Sequence, residues 1–134
     1  MTRMLLLAPL LLAGCSAAVA TDPVRNARAE TRMGQMLAGK VAGQTRSCIS
    51  AREAARQSII DERTILYRVG ANRLFRNDIP GGCPRLGPRS TLVRRSTSPS
   101  LCSGEIFEVR DASTGFVHGA CTFGEFTEYR SPPR

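Results

Sequence analysis

The sequence predicts a mainly β fold: a small antiparallel β-sandwich or barrel with two disulfides, preceded by a signal peptide and a partly helical tether. Three observations lead there. The stretch Ile59–Pro84, IIDERTILYRVGANRLFRNDIPGGCP, holds the longest β-type pattern in the chain and its best hairpin signal. Short segments rich in β-branched and aromatic residues then succeed one another from Ser47 to Tyr129 with turn residues between them, the spacing of an all-β sandwich or small barrel. Cys48, Cys83, Cys102 and Cys121, an even set, lie in the same region.

Met1-Thr2-Arg3-Met4 is a short basic start, and an apolar run from Leu5 to Ala13, broken only by Pro9, follows it. This is the pattern of a secretory signal, too short for a permanent membrane helix, which takes about 20 apolar residues. The run ends in Leu12-Ala13-Gly14-Cys15, which resembles the lipobox of bacterial lipoproteins, where the cysteine becomes the lipidated first residue of the mature chain. Residues 1–14 are therefore expected to be a lipoprotein signal peptide and Cys15 the lipidation site. The competing cleavage site follows Ala18-Val19-Ala20. Ser16, where Asp would stand in the enteric sorting rule, implies by that resemblance an exported chain, lipid-anchored in the periplasm at the outer membrane. Acyl chains contribute about 0.8 kcal/mol per buried methylene, so such an anchor needs no transmembrane helix.

Residues 15–46 are expected to form the lipidated N-terminus and tether. Asp22-Pro23 suits a helix start, with a capping side chain followed by Pro at the first helical position. Met33, Met36, Leu37 and Val41 recur at helical spacing, but Gly34, Gly39 and Gly43 each weaken a helix by about 1 kcal/mol relative to Ala. A frayed helix or flexible spacer is the expectation. Gly34–Lys40 has P-loop spacing, yet Val41 stands where a Ser or Thr must hold Mg²⁺ and no strand precedes it, so nucleotide binding is rejected.

The β domain is expected over residues 47–129. Ser50 and Glu53 have capping-box spacing and predict a short helix from Ala51 to Arg56. Gln57–Asp61, Thr64–Val69 and Arg73–Ile79 read as a three-stranded meander, turned by Asp61-Glu62-Arg63 and then by Gly70-Ala71-Asn72, with Asn72 taking the left-handed position. Pro80-Gly81-Gly82-Cys83-Pro84 breaks the pattern, and Arg85–Ser90 carries a further Gly87-Pro88. Thr91–Ser96 is a weaker strand and Thr97–Leu101 a loop. Ile106–Arg110 and Phe116–Ala120 are strands joined by the turn Asp111–Gly115, and Cys121–Tyr129 is the last. Residues 130–134 are expected to be a disordered tail.

Cys48-Ile49, Ile60-Asp61 followed by Thr64-Ile65-Leu66, Asn77-Asp78, Cys83-Pro84, Leu101-Cys102 and Gly119-Ala120-Cys121 together resemble a family of uncharacterised proteobacterial secreted proteins and lipoproteins, a domain of unknown function. The resemblance covers most of residues 47–127. It implies one secreted, disulfide-bonded domain and brings no activity, substrate or catalytic residue with it.

Setting Cys15 aside, the remaining four cysteines read as two disulfides in an oxidising compartment, with three connectivities that the sequence does not separate. A link from Cys83 to Cys102 would staple the meander to the later strands. The chain-entropy model gives it about 3 kcal/mol, and an outer link from Cys48 to Cys121 about 4 kcal/mol. The formal net charge is +8, and Lys40 is the one Lys among 19 basic residues. Such a balance points to an anionic partner or to arginine-rich codon usage.

His118 is the only histidine, so every acid–base or triad proposal must use it. It is expected to pack or lie at the surface, on the same face as Phe116 in a regular strand. A zinc site is excluded by the cysteine spacing, and no cofactor is expected. Asp61 with Glu62 and Glu105 with Glu108 are the carboxylate pairs available to a hydrolase, though Asp61 suits a turn better. Arg68, Arg73 and Arg76 on the hairpin, with Arg94 and Arg95 on a later strand, are the candidate anion-binding set. Few aromatics and no Trp argue against nucleic acid. The expected function is a non-catalytic binding or structural module of the cell envelope, with an envelope hydrolase or a small secreted hydrolase inhibitor as the alternatives.

Overall fold

The computed structural model describes residues 23–133. The signal peptide, Cys15 and the expected cap Asp22 lie outside the described residues. Helix α1 (Pro23–Leu37) leads into ten strands: β1 (Val41–Arg46), β2 (Cys48–Ser50), β3 (Gln57–Ile59), β4 (Thr64–Val69), β5 (Arg73–Asp78), β6 (Ser90–Arg94), β7 (Ser100–Cys102), β8 (Ile106–Asp111), β9 (Val117–Thr122) and β10 (Phe126–Arg130). They form a five-stranded sheet of order β1-β10-β5-β4-β3, a three-stranded sheet β6-β8-β9 and a β2-β7 pair. Every pairing is antiparallel. The sheets do not close, so of the two expected architectures the sandwich is the one adopted.

The meander β3-β4-β5 forms as expected, and its sequence explains why it is central. Alternate residues of a strand point to opposite faces. In β4, Ile65 and Tyr67 face the smaller sheets while Leu66 faces α1; in β5, Phe75 and Leu74 divide in the same way. Burial on both faces is what a run as apolar as Thr64-Ile65-Leu66-Tyr67 requires. Between the sheets lie Ile49, Ile65, Tyr67, Phe75, Leu101, Phe107, Val109, Phe123 and Phe126. The Tyr67 hydroxyl has no hydrogen-bond partner among the described residues, and burial pushes its pKa well above the ordinary phenol value. On the other face Ala29, Met33, Met36 and Leu37 of α1 cover Ile60, Leu66, Leu74 and Tyr129.

That second core corrects the expected tether. The helical spacing of Met33, Met36 and Leu37 belongs to a packed helix, stabilised by tertiary burial despite Gly34. Val41 is not on that helix; it begins β1, which pairs with β10 from Val41↔Arg130 to Arg46↔Phe126. The folded unit thus starts before residue 47, and Arg130, assigned to the tail, closes β10, while the Ser131 amide donates to the Asn72 carbonyl at 2.8 Å.

Local readings fare unevenly. The Ser50–Glu53 capping box is present: the Ser50 amide donates to Glu53 Oε2 at 2.9 Å and the Glu53 amide to Ser50 Oγ at 3.3 Å, over a 3-10 turn Glu53–Ala55 that replaces the expected helix. Asp61 Oδ1 accepts the amides of Arg63 and Thr64 at 2.8 and 2.9 Å, the turn role expected of it. In the β4–β5 hairpin, however, Gly70 and not Asn72 takes the positive φ, 76°. Gly has no Cβ to clash there, so the chain places the left-handed residue where it costs least. Ser100 and Leu101, expected as loop, belong to strand β7; and Cys121 lies within β9, which runs to Thr122, rather than starting the last strand.

The disulfides are Cys48–Cys102 and Cys83–Cys121. The Cys83–Cys102 staple does not form, nor does the outer Cys48–Cys121 link. Cys48 and Cys102 are direct partners in the β2–β7 register, so the strand pairing itself sets them side by side. Cys83 is left to cross to Cys121 on β9. Two disulfides mark an oxidising, extracytoplasmic compartment. Among the described residues no helix is long and apolar enough to cross a membrane.

Candidate functional site

The five candidate arginines do not converge as a set. Arg68 and Arg76 share the α1 face of the large sheet by register, whereas Arg73 is on the opposite face with Phe75. Arg94 ends β6 in the three-stranded sheet and Arg95 follows it in the loop. Four of the five are neutralised within the chain: Arg73 by Glu128 and Glu53, both at 3.3 Å, Arg76 by Asp78 at 2.9 Å, Arg94 by Glu105 at 2.8 Å and Arg95 by Glu108 at 2.6 Å. Arg68 makes no ion pair among the described residues. It lines a notch of about 320 Å³ between the end of α1 and the β4–β5 hairpin, together with Lys40, Gln35, Met36 and the ion-paired Arg73, so two of the five candidates meet there.

The carboxylate pairs are equally engaged. Glu108 is held below the ordinary carboxylate range, chiefly by hydrogen bonds from Arg110 and Arg95, so it offers no proton near neutral pH. Glu105 is bound to Arg94. Arg73 bridges Glu53 and Glu128, with Arg46 at 3.8 and 3.9 Å from the same two carboxylates and both guanidinium groups over the Phe75 ring. Glu53 has its pKa lowered first by the Ser50 amide, and Glu128 first by Arg130. Folded-state values below the reference of 4.5 mean that the stability these groups contribute is complete above that pH and lost as pH falls through the folded values. Urea midpoints are therefore expected to fall on acidification below about pH 4.5, and a Glu128→Gln variant to show a shallower slope. Parallel curves for the two proteins would assign the acid sensitivity elsewhere.

His118 does share a face with Phe116, the ring centroids lying 5.4 Å apart edge-to-face, but the strand is not regular. Val109 pairs with Gly119 and Arg110 with Val117, so His118 is the extra residue of a β-bulge. Its Nδ1 is buried without a hydrogen-bond partner among the described residues. It lines a cleft of about 430 Å³ with Glu62, Arg85, Arg89, Ser90 and Asp111. The sequence had marked Arg85–Ser90 only as a breaker loop; two arginines flanking Gly87-Pro88 were the available signal. All four cysteines of the domain are bonded, and among the described residues no three His, Cys, Asp or Glu side chains gather to hold a metal.

No family model matches the chain, and no curated protein or solved structure matches it either.

Proposed function

We propose that the chain is a lipid-anchored module of the cell envelope that works by binding, not by catalysis, and that its partner is an anionic envelope component. The lipidation expected at Cys15 and the outer-membrane location belong to this reading. What supports the binding role is the division among cations. Carboxylates of the chain take up Arg73, Arg76, Arg94 and Arg95, while Arg68 and Lys40, with no ion pair among the described residues, line one notch beside the ion-paired Arg73. A guanidinium and an ammonium left in a recess can take a phosphate or carboxylate without losing an internal partner.

The test uses a Cys15→Ser form, free of acyl chains, and measures its affinity for lipopolysaccharide before and after enzymatic removal of phosphate. Removing phosphate should weaken binding, and Lys40→Ser with Arg68→Ser should weaken it about fivefold per cation, the effect of roughly 1 kcal/mol for each basic residue at an anionic surface. Equal affinity for both preparations, unchanged in the double variant, would sink the proposal.

A further inference from the structure

We infer that the cleft between the Arg85–Ser90 loop and the bulged strand β9 is a phosphate-binding site, separate from the Arg68–Lys40 notch. Three structural devices build it. The Cys83–Cys121 disulfide ties the start of the loop to β9. The bulge displaces His118 from the regular ladder beside the cleft. Arg85 adopts φ 65°, the one positive φ of a non-glycine residue among the described residues. An Arg in the left-handed region is uncommon, and such strain persists where surrounding structure over-determines it. Here the surroundings are explicit: the Arg85 amide donates to Glu62 Oε1 at 3.0 Å, and its carbonyl accepts from Ser90 Oγ at 3.2 Å.

The donors and acceptors around the cleft are in unequal states. The guanidinium groups of Arg85 and Arg89 make no ion pair or hydrogen bond among the described residues, and His118 Nδ1 has no partner. The two carboxylates keep their charge, but each turns one oxygen to hydrogen bonds within the chain. Asp111 Oδ1 accepts from the amides of Ser113 and Thr114, both at 2.9 Å, and from their hydroxyls at 2.5 and 3.1 Å. Glu62 holds the Arg85 amide. What the cleft has to offer is therefore donor capacity in two planar forks, the geometry that takes a phosphate oxygen pair.

The tests separate binding from folding. Inorganic phosphate titrated into the full chain should perturb the His118 ring resonances saturably, with chloride at equal ionic strength as the control. Arg85→Gly removes one fork and relieves the left-handed strain, so it should raise the melting temperature while weakening phosphate about tenfold. Arg89→Gln should weaken it by a similar factor. Glu62→Gln keeps the oxygen that receives the Arg85 amide and removes a charge, so it should tighten binding. Unaltered binding in both arginine variants, or weaker binding in Glu62→Gln, would overturn the site. Repeating the titration with a soluble short-chain phosphatidic acid and with glucose 1-phosphate separates a lipid from a sugar source. Tighter binding of either one than of inorganic phosphate names the source; weaker binding of both leaves free phosphate as the ligand.

Discussion

Gly124→Ala is expected to cost at least about 4 kcal/mol and to leave little folded protein, a larger effect than any surface substitution in this chain. A Cβ at this position would overlap the backbone carbonyl oxygen of Asp78 and press on its carbonyl carbon, neither of which can yield without moving β5. The approach is this close because Asn77 draws the two segments together. Its side chain is fully buried, its Nδ2 donates to the Gly124 carbonyl at 2.6 Å and to that of Glu125 at 3.3 Å, and its Oδ1 accepts the Gly124 amide at 3.1 Å. The amide side chain thus stands in for a backbone ladder across Gly124 and Glu125, where β9 has ended and β10 has not begun. Phe123 and Phe126, on either side of the clamp, both fill the core between the sheets. Asn77→Ala removes all three bonds and leaves buried backbone groups unpaired, for an expected loss of about 3 kcal/mol. Urea midpoints read both variants. A Gly124→Ala protein within about 1 kcal/mol of wild type would mean that β5 and the 123–125 segment separate at little cost.

The central hairpin was legible because its information is local. Thr64–Val69 carries enough apolar residues for two buried faces, Gly70-Ala71-Asn72 can only turn, and Asp61, Ser50–Glu53 and Asp111–Gly115 act within a few residues of themselves. The strands that escaped notice have no such signal. β1, VAGQTR, is exposed along nearly all its length and is a strand because β10, more than eighty residues further on, lies beside it. β7 is three residues long and exists as the partner of β2. The ion pairs that hold four of the candidate arginines were hidden for the same reason, in charge rather than in backbone. A sequence displays the cation on β5 but not the carboxylate that will meet it, and the partner of Arg73, Glu128, stands 55 residues away. His118 was placed with the right neighbour, Phe116, while the bulge that sets it beside the cleft depends on register against β8.

Removing the Cys83–Cys121 disulfide as a Cys83→Ala, Cys121→Ala pair is expected to be the second large loss. The link closes a separation of 38 residues and Cys48–Cys102 one of 54, for which the chain-entropy model gives about 4 kcal/mol each. The two differ in surroundings. Cys48 is exposed at the start of a three-residue strand, whereas Cys83 is 1 % exposed and packs with Leu86 and the interior of the sandwich. Loss of the Cys83 sulfur therefore adds an unfilled space to the entropic term, so this pair should destabilise more than Cys48→Ala with Cys102→Ala, although its loop is the shorter. Graded reduction should follow the same asymmetry, with Cys48–Cys102 opening first and the domain melting cooperatively only once Cys83–Cys121 is reduced. Thiol trapping with peptide mapping, alongside circular dichroism at each reductant concentration, reads both events. The prediction fails if Cys83–Cys121 is trapped first or if its removal is the milder change, because burial of Cys83 would then contribute nothing beyond the cross-link itself.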